Sequence, residues 1–317
     1  MIAVVQFTHP GGEHTLSRDE NKKGNIKQWN YDGHKRKFIK TTGVCIDESC
    51  QPVTNRDLLF WGEWEPASIV TQISPPPSDG RFPTVVHEPI LELDKKGEPL
   101  APYYGTKIKK RKGIPKKRER QNTDPFVFAD GFYYCCCKQP RFRGLRDLET
   151  GSIILFGSTV SKERGGKFFE LDTVFVVDDY RCYTPGTYTT DLKGFIPPKY
   201  DKLMGFSNWS DPKQDFVCFK GATFRDRDNF AGMFSYAPCK KCDGIVIGFP
   251  KVKIDSSSIN SIFSSIDIIN DKLFAAPKYS IMASLRDSKR IWDEISRQVD
   301  AQGYLKGIQF NYKTIIK

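Results

Sequence analysis

Apolar residues in this chain come in short runs closed by turn residues, and that pattern limits the fold more than any other feature. The longest runs, at 152–156 and 174–177, have the length of a strand and fall far short of the roughly 20 residues that a membrane span requires. Strand-like runs recur at 2–7, 58–64, 125–128, 132–137, 152–158, 168–177, 215–219 and 244–254. Pro75-Pro76-Pro77-Ser78-Asp79-Gly80 and Pro197-Pro198 break the chain between them. Helical spacing emerges only near the end, where Leu285, Trp292, Ile295 and Val299 share a face and Gly303 offers a stop. A shorter helix is expected over 258–269. The reading is an α+β chain, strand-rich with C-terminal helices.

Charge is concentrated rather than spread. Of a net charge of +11, residues 107–120 carry +8, from nine Lys or Arg and one acid. Gly113 and Pro115 lie inside this tract, so it reads as a solvated loop and not as a helix. Lys109, Lys110, Arg111, Lys112, Lys116, Lys117 and Arg118 are then candidate phosphate ligands, and binding through them is strongly salt-dependent. Nucleic acid is the expected partner, with an acidic protein surface or a purely solubilising loop as alternatives. The tract also suggests a division of the 317 residues into 1–105, 106–123, 124–255 and 256–317, which can equally form one continuous domain. The opening residues lack a basic segment ahead of the first apolar run, so no secretory signal is read there and a reducing, cytoplasmic setting is expected for the nine cysteines.

Two constellations carry candidate chemistry. His9 and His14 flank Pro10-Gly11-Gly12 with Glu13 beside them, and His34 leads Lys35, Arg36 and Lys37. Histidines with pKa values near neutrality serve as general acids or bases, and the three cations as phosphate clamps. Plain exposed turns explain the same residues without chemistry. The spacing of His9, Glu13 and His14 is not the helical metalloprotease pattern, so no metal is assigned to them. In the second constellation, strand alternation puts Leu58, Phe60 and Trp64 on a core face and Trp61, Glu63 and Glu65 on the other. A ring beside two carboxylates suits a base or nucleotide pocket.

The cysteines give weaker patterns. Cys239-Lys240-Lys241-Cys242 is half of a zinc-ribbon motif, and a structural zinc through Cys239 and Cys242 stays open as the alternative to no cofactor. Cys135, Cys136 and Cys137 read as packing residues of a strand. No local signature of a Cys/His nucleophile is present. Lys138, Arg141, Arg143 and Arg146, interleaved with Phe142, read as surface recognition.

Leu145 and Leu148 precede the turn Glu149-Thr150-Gly151, which leads into the strand 152–158, a charged loop at 161–167 and the strand 168–177. This segment resembles the core of PUA-like barrels, the ASCH, EVE and YTH relatives. The resemblance implies a PUA-like β-barrel core with a β-rich N-terminal extension. More broadly, the chain resembles nucleotide-modification-associated proteins found beside bacterial and phage DNA-modification genes. That likeness rests on Thr8-His9-Pro10-Gly11-Gly12-Glu13-His14, His34-Lys35-Arg36-Lys37-Phe38, Phe60-Trp61-Gly62-Glu63-Trp64-Glu65 and Thr123-Asp124-Pro125-Phe126. It implies a role around modified bases or invading DNA, in a prokaryotic modification or antiviral defence system, and transfers no catalytic residue.

Three functions follow as expectations. The first is a nucleic-acid or modified-base binding protein. The second is an enzyme acting on a nucleotide or DNA base through His9, Glu13, His14 and His34. The third is a protein-interaction subunit of a defence complex, its partner face on the C-terminal helix around Trp292.

Overall fold

The computed structural model describes residues 1–9, 22–27, 36–47, 49–74, 85–100, 123–162, 166–198, 200–204, 206, 211–242, 244, 251–264, 266–270 and 276–317. The strands are β1 (Ala3–Thr8), β2 (Ile26–Lys27), β3 (Lys37–Ile46), β4 (Pro52–Gly62), β5 (Ser68–Ile73), β6 (Val85–Leu93) and β7 (Tyr133–Tyr134). They continue with β8 (Ile153–Lys162), β9 (Gly166–Tyr183), β10 (Phe216–Gly221), β11 (Ala237–Lys241), β12 (Val252–Ile254), β13 (Lys278–Ile281), β14 (Leu305–Phe310) and β15 (Lys313–Ile316). Helices are α1 (Tyr188–Asp191), α2 (Tyr200–Met204), α3 (Ser256–Asn260) and α4 (Leu285–Ala301). The strand-rich expectation holds.

Two mixed sheets result. One runs β13–β1–β8–β9–β10–β7, with β12 on β9. The other runs β14–β11–β4–β3–β6–β5–β2, with β15 on β6. A further pairing of β14 with β3 closes β3, β4, β11 and β14 into a four-stranded ring. Each sheet draws strands from both sides of residues 106–123: β1 lies parallel to β8, and β14 pairs with β3.

β1 is buried along its length because each of its faces meets a different core. Val5 and Phe7 enter the larger core, which draws on both sheets and is dominated by rings such as Phe60, Trp64, Phe128, Phe156 and Phe310. Val4 enters the second core, beneath α4. Gln6 locks the strand in register by a reciprocal amide pair with Asn270, at 2.9 Å each way. The segment 123–148 crosses the larger core and contributes Phe126, Phe128 and Tyr134 to it.

The hairpin anticipated over 145–177 forms as a short 3-10 turn at Arg143–Leu145 followed by β8 and β9. It belongs to the seven-stranded sheet, however, and not to the ring. Its register slips between Phe156, opposite Thr173, and Gly157, opposite Leu171, so Asp172 is the extra residue of a β-bulge. Gly157 permits the slip: a Cβ there would stand 2.1 Å from the Glu170 carbonyl oxygen.

α4 matches its expected face. Ser284 caps its first turn by accepting from the Asp287 N–H, and Gly303 ends the exit turn at φ +71°. Trp292 is only 7% exposed and donates its indole N–H to the Phe234 carbonyl at 3.0 Å. The face expected to hold a protein partner is thus covered by the protein's own core. The helix expected over 258–269 is the single turn α3. Asn260 ends it by accepting from the N–H groups of Ile268 and Ile269, which folds the chain back on itself. Among the described residues no helix is long and apolar enough to cross a membrane.

Candidate functional site

The ends of three strands and a bulge in a fourth converge on a buried polar cluster between the sheets. His9 follows β1 and extends its ladder, its N–H donating to the Gly157 carbonyl at 2.7 Å. Arg36 precedes β3, Glu63 follows β4, and the bulge in β9 turns Asp172 inward. All four are buried, Arg36 at 1% and Asp172 at 2% exposure. Burying such charges is tolerated only when they are paired or neutralised.

Both devices operate here. Arg36 Nε is ion-paired with Asp172, while its NH2 stands 4.0 Å from Glu63 Oε2. Burial pushes the Glu63 carboxyl up to about 8, against the opposing pull of Arg36, so it carries its proton at neutral pH. Burial also raises Asp172, again against Arg36. His9 Nδ1 lies 3.9 Å from Glu63 Oε2, and the imidazole stacks on Phe7 at 4.8 Å between centroids. Arg36 NH1 and NH2 and Glu63 Oε2 have no hydrogen-bond partner among the described residues. Unsatisfied buried groups of this kind are uncommon in folded proteins.

A tight turn at 135–138 forms one wall. Asp124 accepts from the backbone N–H groups of Cys135, Cys136 and Cys137 at 2.9, 2.9 and 2.7 Å. Its own backbone N–H donates to Glu63. Burial raises Asp124 to about 6, opposed by the three N–H donors. The turn delivers Cys137 Sγ to 3.9 Å from His9 Nε2. Lys138, at φ +61°, donates its ammonium to the Thr8 carbonyl, and burial lowers its pKa. The neighbouring residue Thr123 ties the same wall to Glu65, whose N–H donates to Thr123 Oγ1 at 3.2 Å.

Of the residues singled out in the sequence, His9, Arg36 and Glu63 come together. Glu13, His14, His34 and Lys35 lie outside the described residues, as do Lys109, Lys110, Arg111, Lys112, Lys116, Lys117 and Arg118. Lys37 is fully buried and donates its ammonium to the Trp64 carbonyl, so it is no surface phosphate clamp. Strand parity is observed: Leu58, Phe60 and Trp64 face the larger core. The opposite face is closed too, since Trp61 packs with Phe38, Leu59, Val86 and Cys242 under the Lys251 ammonium. Trp61 is therefore a packing residue, while Glu63, two positions on, enters the polar cluster.

Cys239 belongs to the larger core and Cys242 to the small cluster around Trp61. Among the described residues, one set of three potential metal ligands lies close together: Asp124, Cys135 and Cys136, within 4.8 Å. Asp124 already receives three N–H groups there, and the Cys135 thiol donates to the Met204 carbonyl at 3.4 Å. That set therefore serves as the scaffold of the turn. Asp124, Asp172 and Cys137 do not stand out as site residues in the sequence. The available sign is acidic residues embedded in otherwise apolar strand runs, as in Phe169-Glu170-Leu171-Asp172. Comparison with protein-family models, curated proteins and solved structures finds no match to this chain.

Proposed function

We propose that the protein is an enzyme acting on a nucleotide or on a base of a nucleic acid, with His9 and Glu63 as its proton-transfer pair and Arg36 as the clamp on the reacting group. The supporting observation is the meeting of His9, Glu63 and Arg36 in a buried site that leaves Arg36 NH1, NH2 and Glu63 Oε2 without partners among the described residues. A carboxyl held protonated by burial beside an imidazole lets the two groups divide acid and base roles. Glu63 holds its proton at neutral pH and acts as the acid, while His9 acts as the base.

Charge balance narrows the group that fits. With Glu63 neutral, Arg36 is balanced by Asp172 and the Lys138 ammonium is engaged by the Thr8 carbonyl, so a phosphate placed among them would add buried charge that these paired cations do not offset. An uncharged heterocycle edge with a carbonyl or ring-nitrogen acceptor matches the two-pronged Arg36 donor. Phosphates then fall to the basic tract, whose C-terminal neighbour Thr123 is anchored in the wall of the site. The ring of β3, β4, β11 and β14 is barrel-like but does not include the β8–β9 hairpin that carries the PUA-like resemblance, so a modified base as the target rests on that resemblance alone. A cytoplasmic protein of a bacterial modification or defence system is the corresponding setting.

Arg36→Lys tests the assignment, because it keeps the charge opposite Asp172 and removes the fork. Titration of nucleosides, nucleotides and single-stranded oligonucleotides should give saturable binding to at least one class. The variant should weaken that binding about 10- to 100-fold, the cost of giving up one bidentate pair. Absence of binding to all of them at low salt, or equal affinity in the variant, would overturn the reading.

A further inference from the structure

We propose that Cys137 is the nucleophile of this site, with His9 as the base that accepts its thiol proton. The inference takes the site's location from the enzyme reading above but stands on its own geometry. Cys137 Sγ lies 3.9 Å from His9 Nε2, and the other ring nitrogen, Nδ1, lies 3.9 Å from Glu63 Oε2. The thiol thus stands beside one ring nitrogen and the Glu63 carboxyl beside the other, and a thiol next to an imidazole base is the pairing that activates cysteine nucleophiles. Distances of this kind are long in free enzymes and shorten when substrate enters.

The backbone holds the thiol in place. The Cys137 N–H is fixed by Asp124 at 2.7 Å, and the next residue, Lys138, is bound to the Thr8 carbonyl, one residue from His9. The turn is therefore tied to the strand end that carries the base. Cys137 is half-buried, unlike Cys135 and Cys136, which are buried. In the same cluster lie the unpartnered donors of Arg36 and Glu63 Oε2, so the electrophile has polar groups to receive it.

Burial pushes the Cys137 thiol well up, so the thiol keeps its proton at rest and gives it up to His9 as attack proceeds. The step adds the thiol across a C=N or C=O bond of the substrate. The S–C bond forms and the thiol proton passes to His9 Nε2. The π pair moves to the substrate heteroatom, which takes the Glu63 proton. Collapse of the adduct re-forms the double bond, returns the heteroatom proton to Glu63 and expels an amine or alcohol carrying the His9 proton; a water molecule then displaces the cysteine, which recovers its own proton. The net change is hydrolysis at an sp2 carbon, with water as the only co-reactant. A nucleobase carbon bearing an exocyclic amine is the substrate class that also fits the Arg36 clamp.

Alkylation by iodoacetamide, followed by peptide mass spectrometry from pH 5.5 to about pH 10, tests the nucleophile without a known substrate. The Cys137 rate should follow a pH profile that changes when His9 is replaced. His9→Gln should slow Cys137 at least tenfold at pH 7 and leave the exposed Cys50 and Cys182 unchanged. No alkylation of Cys137 in the native protein, or a rate that follows thiol ionisation alone and ignores His9, would overturn the proposal. If that variant does not fold, His9→Asn is read in its place, with the same slowing of Cys137 expected and an unchanged rate overturning the proposal. Failure of the two readings separates cleanly. Nucleotide binding lost in Arg36→Lys beside a histidine-independent Cys137 removes the nucleophile and keeps the site. A histidine-coupled Cys137 in a protein that binds no nucleotide keeps the nucleophile and removes the nucleotide.

Discussion

Glu63 shows how one residue links the stability of the molecule to the chemistry of its site. Its folded pKa of about 8 lies above the ordinary carboxylate value, so folding binds a proton that the unfolded chain releases between about 4.5 and 8. The stabilisation is complete below the unfolded value and is lost as pH rises through the folded one. Asp124, raised to about 6, acts in the same direction at lower pH. Thermal unfolding midpoints should therefore decline from about pH 6 to pH 9, and Glu63→Gln, which mimics the protonated acid, should flatten the upper part of that decline. Parallel curves for the two proteins would show that Glu63 is ionised in the folded state. The same variant cannot donate a proton, so under the proposed enzyme reading a gain in stability at alkaline pH and a loss of turnover should occur together.

Among the elements, the β8–β9 bulge connects fold and site. Gly157 lies so close to the β9 backbone that even a methyl group meets the Glu170 carbonyl and the Phe169 ring, at 2.1 and 2.6 Å. Gly157→Ala should cost about 1–3 kcal/mol or more by overpacking, read as a lowered urea midpoint. It should also shift Asp172 away from Arg36 and so weaken ligand binding beyond the stability loss; an unchanged midpoint would show that the strands separate without strain. Elements of this sheet are legible in the sequence because β1, β8 and β9 are buried on both faces and read as continuous apolar runs. β3 does not read as a strand. Its Lys-Phe-Ile-Lys-Thr-Thr-Gly-Val-Cys-Ile is a poor apolar run, and it is held by partners on both sides, β4 and β6 with β14. The turn α3 is shorter than its sequence suggests for a comparable reason. Its apolar residues recur as in a helix, but the Asn260 side chain competes for the backbone and redirects it.

For the whole molecule, the site is only partly legible because it is assembled across the topology. His9, Arg36, Glu63, Asp124, Cys137 and Asp172 come from five separate segments, with only Asp124 and Cys137 sharing one. Histidines and strand parity point to His9 and Glu63, while Cys137 resembles its two buried neighbours. The basic tract, by contrast, is fully visible in composition. If it carries the phosphates of a polyanion, changing Lys109, Lys110, Arg111, Lys112, Lys116, Lys117 and Arg118 to Gln should make the logarithmic salt dependence of binding shallower. The expected change in slope is about 0.7 to 0.9 for each phosphate that is no longer neutralised. An unaltered slope would place the polyanion elsewhere on the surface.

The ring of β3, β4, β11 and β14 has a consequence for how the protein is made. Its first strand leaves the ribosome hundreds of residues before β14, which closes it, and β1 waits similarly for β8. Pairings this distant in sequence form slowly and leave strand edges open in the meantime. The polar cluster between the sheets is therefore enclosed only after translation has passed the last of these strands.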